Sequence, residues 1–231
     1  MSGLFNYPFL CLAFGLGFYS LFTYPPVEAE SSPSRVVPET QPPAEEKPDL
    51  ETFIHQRMRD LVPAKHRFMA GTIAQAIIKE SRAYNIDPVV LMAVIYIESR
   101  FKPKAVGQKG EIGLMQLRPS TALWMLSRGL IEGIDREHTH KTITQALFDP
   151  AINIKFGAAY LAHMQSRFPE SETLYLAAYN MGEGTVRSLL KRGREPRRYT
   201  NLVFSVYESL KTAAADDQKM PRTTASTFDL R

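Results

Sequence analysis

One glutamate follows a stretch that is otherwise apolar. Nine consecutive apolar residues, Val89 to Ile97, directly precede Glu98, and they predict a buried helix that ends close to this carboxyl group. Burial disfavours the charged carboxylate, and the negative end of the helix dipole acts in the same direction. The sequence therefore predicts a raised pKa, which suits a general acid at neutral pH. The alternative is that the Glu98 carboxylate faces solvent or forms an ion pair with Arg100.

Three glycines follow this helix at three-residue intervals. Gly107, Gly110 and Gly113 precede Gln116, and glycine allows a loop to approach a ligand closely or to adopt positive φ. The segment lacks the lysine and the preceding strand of a phosphate-binding loop. We expect a loop folded back over the end of the Glu98 helix. The Gln116 amide could then bind a sugar hydroxyl or acetamido group, unless it is an ordinary glutamine at a helix start.

A second polar pair stands at the end of another apolar segment. Two alanines precede Tyr179 and Asn180, and small residues let helices approach each other closely. The tyrosine offers a stacking face and the asparagine an amide. The alternative is a core tyrosine followed by an asparagine that caps the helix.

The elements that must position these side chains are predicted to be helices. Asp87-Pro88 and Asp149-Pro150 are typical helix starts, and apolar residues recur at helical spacing. No run alternates as a strand would. We predict an all-α domain over residues 50–213, whose helices include Pro88–Arg100, one from Pro150, Thr173–Tyr179, Thr185–Leu190 and Arg198–Lys211.

Three further segments flank this domain. Residues 1–24 are apolar and uncharged, which predicts a signal peptide or a membrane anchor, with Cys11 as a weaker hint of lipidation. Residues 25–49 hold seven of the sixteen prolines together with six acidic residues, which predicts an extended linker. Residues 214–231 are expected to form a disordered tail.

The charge distribution narrows the classes of partner. The net charge of +4 divides into −4 on residues 25–49 and +8 on residues 50–231, so the body favours an anionic partner. A single cysteine excludes a disulfide scaffold and a cysteine-based zinc module. His138 and His140 stand in a polar segment, and we expect neither a metal nor a cofactor. Export and the lack of a recognisable motif argue against nucleic acid.

Taken in order, these motifs resemble the catalytic domain of the soluble lytic transglycosylases, a lysozyme-like family. The similarity spans roughly Ile73–Leu210. It is carried by Glu98-Ser99, Gly113-Leu114-Met115-Gln116, Leu147-Phe148-Asp149-Pro150, Asn153-Ile154, Gly157, Tyr160-Leu161, Ala178-Tyr179-Asn180 with Gly182, and Glu195 with Tyr199.

The resemblance implies cleavage of the β-1,4 bond between N-acetylmuramic acid and N-acetylglucosamine in peptidoglycan, with formation of a 1,6-anhydromuramyl product. It implies Glu98 as the single catalytic acid and base. The residues expected to bind the glycan or support its cleft are Ser99, Met115, Gln116, Tyr179, Asn180, Glu195 and Tyr199. The expected location is the periplasm or cell envelope, with peptidoglycan strands as partner. Membrane attachment through residues 4–24 is expected only if this segment is retained as an anchor rather than cleaved as a signal peptide.

Three positions depart from the family pattern. Members usually carry serine at Gly107, often alanine at Glu111, and often methionine at Arg118, so substrate preference and activity are open. Arg118 could meet a peptide carboxylate or remain solvated. The alternatives are a hydrolytic muramidase of lysozyme type, which usually has a second acid, and a non-catalytic peptidoglycan-binding scaffold.

Overall fold

The computed structural model describes residues 49–216, with side chains to residue 213. The prediction of an all-helical domain is confirmed for this part of the chain, which contains no strand and only isolated β-bridges. A short 3₁₀ helix covers Ala64–Met69. The α-helices are α1 Leu50–Leu61, α2 Ala70–Tyr84, α3 Pro88–Ser99, α4 Pro119–Ser127, α5 His140–Ala146, α6 Pro150–Arg167, α7 Glu172–Met181, α8 Glu183–Lys191 and α9 Arg198–Asp216.

The two predicted helix starts are confirmed by their capping bonds. The Asp87 carboxylate accepts from the backbone N–H of Val89, at 2.7 Å, at the start of α3. The Asp149 carboxylate caps α6 in the same way by accepting from Ala151 and Ile152. Each aspartate satisfies N–H groups that the first helical turn leaves without a partner.

Two boundaries differ from the sequence prediction. A single residue, Gly182, separates α7 from α8, whereas the sequence predicts a break over Met181–Gly184. Gly182 adopts φ +83° and serves as the cap of both helices. Helix α9 continues to Asp216, three residues into the predicted tail. The signal or anchor segment 1–24, nearly all of the linker, and residues 217–231 lie outside the described residues.

Helix α3 lies in the larger of two hydrophobic clusters. It packs against α9 and α2, while α6 packs against α2 and α7. The second cluster joins α4, α5 and one face of α6. Among residues 49–216, no helix is both long and apolar enough to span a membrane.

The loop between α3 and α4 is anchored in both clusters. Leu114 and Met115 are buried in the larger cluster, whereas Ile112 and Leu117 are buried in the smaller one. The backbones of Ile112 and Leu117 also bond to each other in both directions, at 2.9 and 3.1 Å. This double attachment holds the backbone of the polar residue between them, Gln116, at a defined place in the loop.

Candidate active site

Glu98 lies in the last turn of α3 and is half-buried. Removal of the carboxyl group from water raises its pKa from an ordinary value of 4.5 to about 7. The raised pKa expected from the sequence is therefore confirmed. The alternative of an ion pair with Arg100 is not found: no ion pair between described side chains involves Glu98.

Within residues 49–216, one side chain donates a hydrogen bond to the carboxyl group, and it belongs to α9. Tyr199 in α9 donates its hydroxyl to Glu98 Oε1 at 2.6 Å. This bond stabilises the carboxylate and lowers the pKa of Glu98, but the effect of burial is larger. Tyr199 is itself buried, which raises its pKa well above the usual 10, so it remains a donor at neutral pH. Tyr199 thus orients Glu98 without carrying a charge, and the carboxyl proton of Glu98 remains exchangeable.

Removing the Tyr199 hydroxyl tests how its hydrogen bond contributes to the pKa of Glu98. Tyr199→Phe is expected to raise the pKa of Glu98 above about 7, because the carboxylate loses the bond that favours it. Glu111→Gln is expected to lower that pKa, because the negative charge of Glu111 disfavours a second carboxylate. Both values can be measured from the carboxyl-carbon NMR shifts as a function of pH.

Tyr207→Phe is the matched control for that titration. Tyr207 lies on the same helix and donates to Asp87 at 3.0 Å rather than to Glu98, so its removal should leave the Glu98 pKa unchanged. Shifts of the same sign in Tyr199→Phe and Glu111→Gln would contradict the account.

The Gln116 side chain is held by the loop itself. Its Nε2 donates to the carbonyl oxygen of Gly113 at 2.9 Å and approaches that of Ala105 at 3.5 Å. Its backbone has φ +47°, a left-handed conformation that costs free energy for a residue other than glycine. Arg100 and Phe101, which follow Glu98 closely, share this conformation. Strained backbone thus follows the candidate acid in the sequence and recurs at Gln116 in the loop.

Asn153 ties this loop to α6. It is fully buried, its Oδ1 accepts from the Met115 N–H at 2.8 Å, and its Nδ2 donates to the carbonyls of Ile112 and Leu147 at 2.8 and 2.9 Å. The sequence analysis assigned it no role. The sequence contained one signal that Asn153 is buried. Asn153 lies four residues before Gly157, and this spacing places both residues on the same face of α6.

Tyr179, in α7, also bonds to the loop at Met115. Its hydroxyl donates to the carbonyl oxygen of Met115 at 2.8 Å, and its ring lies 5.4 Å from that of Tyr160. Burial raises its pKa well above the usual 10, and the negative charge of Glu98 adds to that shift. This electrostatic interaction associates Tyr179 with the candidate acid.

The remaining predicted site residues differ in their surroundings. Met115 has no exposed surface and packs where a side chain on Gly157 would stand, so the expectation that it binds substrate stays a prediction for a residue whose side chain lies in the core. Ser99 is buried and donates to the Ile95 carbonyl within its own helix. Glu195 is exposed and paired with Arg197 at 2.6 Å. Asn180 is exposed beside Tyr179, with its side chain in no hydrogen bond between described residues.

The three positions that depart from the family pattern form one group. Glu111 accepts from Arg118 and from the Lys109 backbone, both at 2.9 Å. A Cβ on Gly107 would stand 2.5 Å from Glu111 Oε2 and 2.7 Å from Gln116 Oε1, which is closer than packed atoms allow. Arg118 is therefore paired rather than free, and the glycine makes room for both side chains.

Because Gly107 leaves space for the Glu111 side chain, substitutions at these two positions should have coupled effects on stability. Gly107→Ala should destabilise the protein by about 1 kcal/mol, the lower end of the usual cost of overpacking, because the two oxygens nearest to the added methyl group end the flexible Glu111 and Gln116 side chains. The cost should be smaller in the Glu111→Ala background, which removes one of the two clashing groups. Urea unfolding of the four variants measures the coupling.

Gly184→Ala is the control, because a Cβ there meets nothing within 4 Å. Additive effects of Gly107→Ala and Glu111→Ala would show that the two positions do not interact.

No group of three or more His, Cys, Asp or Glu side chains that could hold a metal occurs within the described part of the chain. The chemistry available here is that of one protonatable carboxyl group, one neutral phenol and one oriented amide beside a loop. That set can donate a proton to a leaving oxygen and take one from an incoming hydroxyl.

Comparison with known proteins identifies the family of this domain. A family model described as "Transglycosylase SLT domain" matches residues 75–201. The membrane-bound lytic murein transglycosylase C of Histophilus somni is 31% identical over 51% of this chain and 32% of its own length. The protein of the same name from Haemophilus influenzae is 29% identical over 61% of this chain and 40% of its own. The chain thus spans well under half the length of these relatives.

Two solved structures are similar in fold. An inactive mutant of the lytic transglycosylase Slt from Pseudomonas aeruginosa, with glutamine in place of one glutamate, matches with a TM-score of 0.51 and 30% identity over 61% of this chain and 24% of that one. The 70 kDa soluble lytic transglycosylase of Escherichia coli matches with a TM-score of 0.54 and 24% identity over 71% of this chain and 29% of that one. The predicted lysozyme-like helical fold is confirmed by these likenesses.

Proposed function

Because the chain belongs to the transglycosylase SLT family, we propose that it is a peptidoglycan lytic transglycosylase in which Glu98 is the single general acid and base. The observation that carries the proposal is the Glu98 carboxyl group itself, which is half-buried, hydrogen-bonded by Tyr199 and protonatable near neutral pH. The names of its relatives and the inactive glutamate variant of Slt support the same reaction.

The reaction needs no second carboxylate. Protonated Glu98 gives its proton to the oxygen of the β-1,4 bond, and that bond breaks as N-acetylglucosamine leaves with a free 4-hydroxyl. The C6 hydroxyl oxygen of the N-acetylmuramic acid then attacks its own C1, and Glu98 takes the hydroxyl proton. The products are a 1,6-anhydromuramyl end and a regenerated acid, and no water is consumed.

A hydrolytic muramidase is the second candidate, favoured by one observation. Glu111 is a second carboxylate close enough for its charge to raise the pKa of Glu98, and paired carboxylates are the usual machinery of glycosidases. Its oxygens, however, are engaged by Arg118 and the Lys109 N–H. Glu111 is thus less suited than a free carboxylate to activating water.

The products decide between these functions. The full chain is incubated with purified sacculi, and the released muropeptides are weighed by mass spectrometry. Anhydro products support the transglycosylase, and products heavier by one water support the muramidase. Binding to sacculi without any soluble product would indicate a scaffold.

The proposed location is the cell envelope, where peptidoglycan is the partner. The relatives are described as membrane-bound, and residues 1–24 carry no charge, which supports export or anchoring through this segment. Fractionation of cells that produce the full chain tests the proposal, because recovery in the cytoplasmic fraction would contradict it.

A further inference from the structure

The 3₁₀ helix Ala64–Met69 contributes no fully buried side chain to the core. It follows α1 and runs directly into α2, whose first residue, Ala70, is buried. Packing in the core therefore explains where this helix lies but not the types of its exposed side chains. The helix also lies before residue 75, where the match to the family model begins, and it takes no part in the proton transfers at Glu98.

Phe68, in this 3₁₀ helix, is the most exposed large apolar side chain of the described residues, with 78% of its surface accessible. An exposed phenyl ring forgoes the free energy that burial provides. A partner that covers the ring would recover this free energy. The other large apolar side chains with high exposure lie outside this helix, at Leu50, Val106, Trp124, Leu190 and Leu202.

The charged side chains beside Phe68 are all cationic. Lys65 lies three residues before Phe68, which is one turn of a 3₁₀ helix and places both on one side, and Arg67 is adjacent; both are exposed. Residues 61–79 contain no Asp or Glu. Among residues 49–216, no ion pair involves Lys65 or Arg67. Their charge is therefore uncompensated and favours an anionic partner.

A lipid bilayer fits this surface better than a folded protein does. A protein interface has an apolar core made by several side chains, whereas Phe68 is the only large apolar side chain of its helix with high exposure. At a bilayer, one ring can enter the boundary between headgroups and acyl chains while neighbouring cations attract anionic headgroups. Only 25 residues separate α1 from the apolar, uncharged residues 1–24, so attachment through that segment would keep the domain near a bilayer.

We propose that Lys65, Arg67 and Phe68 form a membrane-contact surface, which docks the folded domain on a bilayer that contains anionic phospholipids. The phenyl ring enters the headgroup boundary, and the two cations bind lipid phosphates. The contact is peripheral and separate from any attachment through residues 1–24. Because the 3₁₀ helix and α1 both pack against α2, the contact also fixes the orientation of the domain relative to the membrane. It goes beyond the proposed reaction and requires no step of it.

Tryptophan fluorescence can measure this contact at position 68 itself, whether or not residues 1–24 hold the chain on the membrane. Trp124 is the only tryptophan in the 231 residues, so the full-length double variant Phe68→Trp/Trp124→Phe carries its one reporter on the proposed surface. The variant is added to vesicles of phosphatidylcholine and phosphatidylglycerol with acyl chains brominated near the headgroup. Bromine quenches a tryptophan that reaches it. We expect strong quenching with these vesicles and little with brominated phosphatidylcholine alone.

The wild type is the matched control for the position of the reporter. Its Trp124 lies in α4, outside the membrane-contact surface, and should not be quenched by the same vesicles. In the reporter variant, Lys65→Gln and Arg67→Gln should each weaken the contact about fivefold, equivalent to about 1 kcal/mol per basic residue near an anionic membrane. Lys141→Gln removes an exposed cation from α5 and should leave the quenching unchanged. Urea unfolding verifies that each variant is folded.

The results that overturn the inference are distinct from those that overturn the proposed function. An unquenched reporter at position 68, equal quenching with phosphatidylcholine alone, or equal quenching of Trp124 would exclude the membrane-contact surface. Self-association of the wild type that Phe68→Ala abolishes would assign the surface to a second copy of the chain instead. Phe68→Ala should cleave purified sacculi, which contain no bilayer, as fast as the wild type. Absence of cleavage by both proteins would overturn the proposed function and leave the vesicle result standing.

Discussion

Replacement of Glu98 by glutamine is expected to lower kcat/KM for sacculus cleavage by roughly two to four orders of magnitude, the usual contribution of a general acid and base. Glutamine keeps the shape and can still accept from Tyr199, but it has no proton to give to the leaving oxygen. The release of muropeptides from purified sacculi measures the loss. Glu170→Gln, the same change at an exposed position, is the control and should keep full activity.

The same variant should differ from the wild type in stability, in a way that depends on pH. The folded pKa of Glu98 is about 7 and its ordinary value is 4.5, so the folded state binds the proton more tightly than the unfolded state. The wild type is therefore expected to lose stability relative to Glu98→Gln as pH rises from about 4.5 to 7, and to lose no more above that. Urea unfolding at several pH values measures the difference.

Two results would contradict this account of Glu98. Residual activity near that of Glu170→Gln would show that another group supplies the proton. A stability difference that grows as pH falls would show that the Glu98 pKa is depressed rather than raised.

Local signals in the sequence were sufficient for most of the helical framework. Asp87 and Asp149 predicted helix starts because a capping aspartate acts on N–H groups two or three residues away. The break around Gly182 was placed too broadly, because a glycine with positive φ can end one helix and begin the next. Such a double role depends on how α7 and α8 pack, which the local sequence does not contain.

The candidate site was only partly predictable for a related reason. The raised pKa of Glu98 follows from the apolar run before it, but its partner Tyr199 lies 101 residues away. Only the resemblance to a family placed these residues in one site. The adjacent residues Met115 and Gln116 were both expected at the cleft, yet Met115 is fully buried, because its anchoring in the core is set by Asn153 and Gly157 on another helix.

Asn153→Ala is expected to destabilise the protein by about 3 kcal/mol or more, because it removes three buried hydrogen bonds at once. The Met115 N–H and the carbonyls of Ile112 and Leu147 would remain buried without these partners, and each such loss costs about 1–3 kcal/mol. Asn153→Asp keeps an acceptor for Met115 but provides no donor for the two carbonyls, so it should be no better. Urea unfolding measures both variants, and Asn201→Ala, at an exposed position of α9, is the control.

The activity of Asn153→Ala on sacculi should decrease by more than the fraction of unfolded protein accounts for. The reason is that Asn153 holds the segment that carries Gln116. Under conditions where the variant is still folded, loosening this loop lets the Gln116 amide move, while the carboxyl group, held by α3 and Tyr199, stays in place. The pKa of Glu98 should therefore change little while kcat/KM on sacculi decreases. An activity loss that matches the fraction of unfolded protein would mean that Asn153 only stabilises the fold. A free energy of unfolding within about 0.5 kcal/mol of the wild type, the usual range for surface substitutions, would mean that another residue anchors the loop.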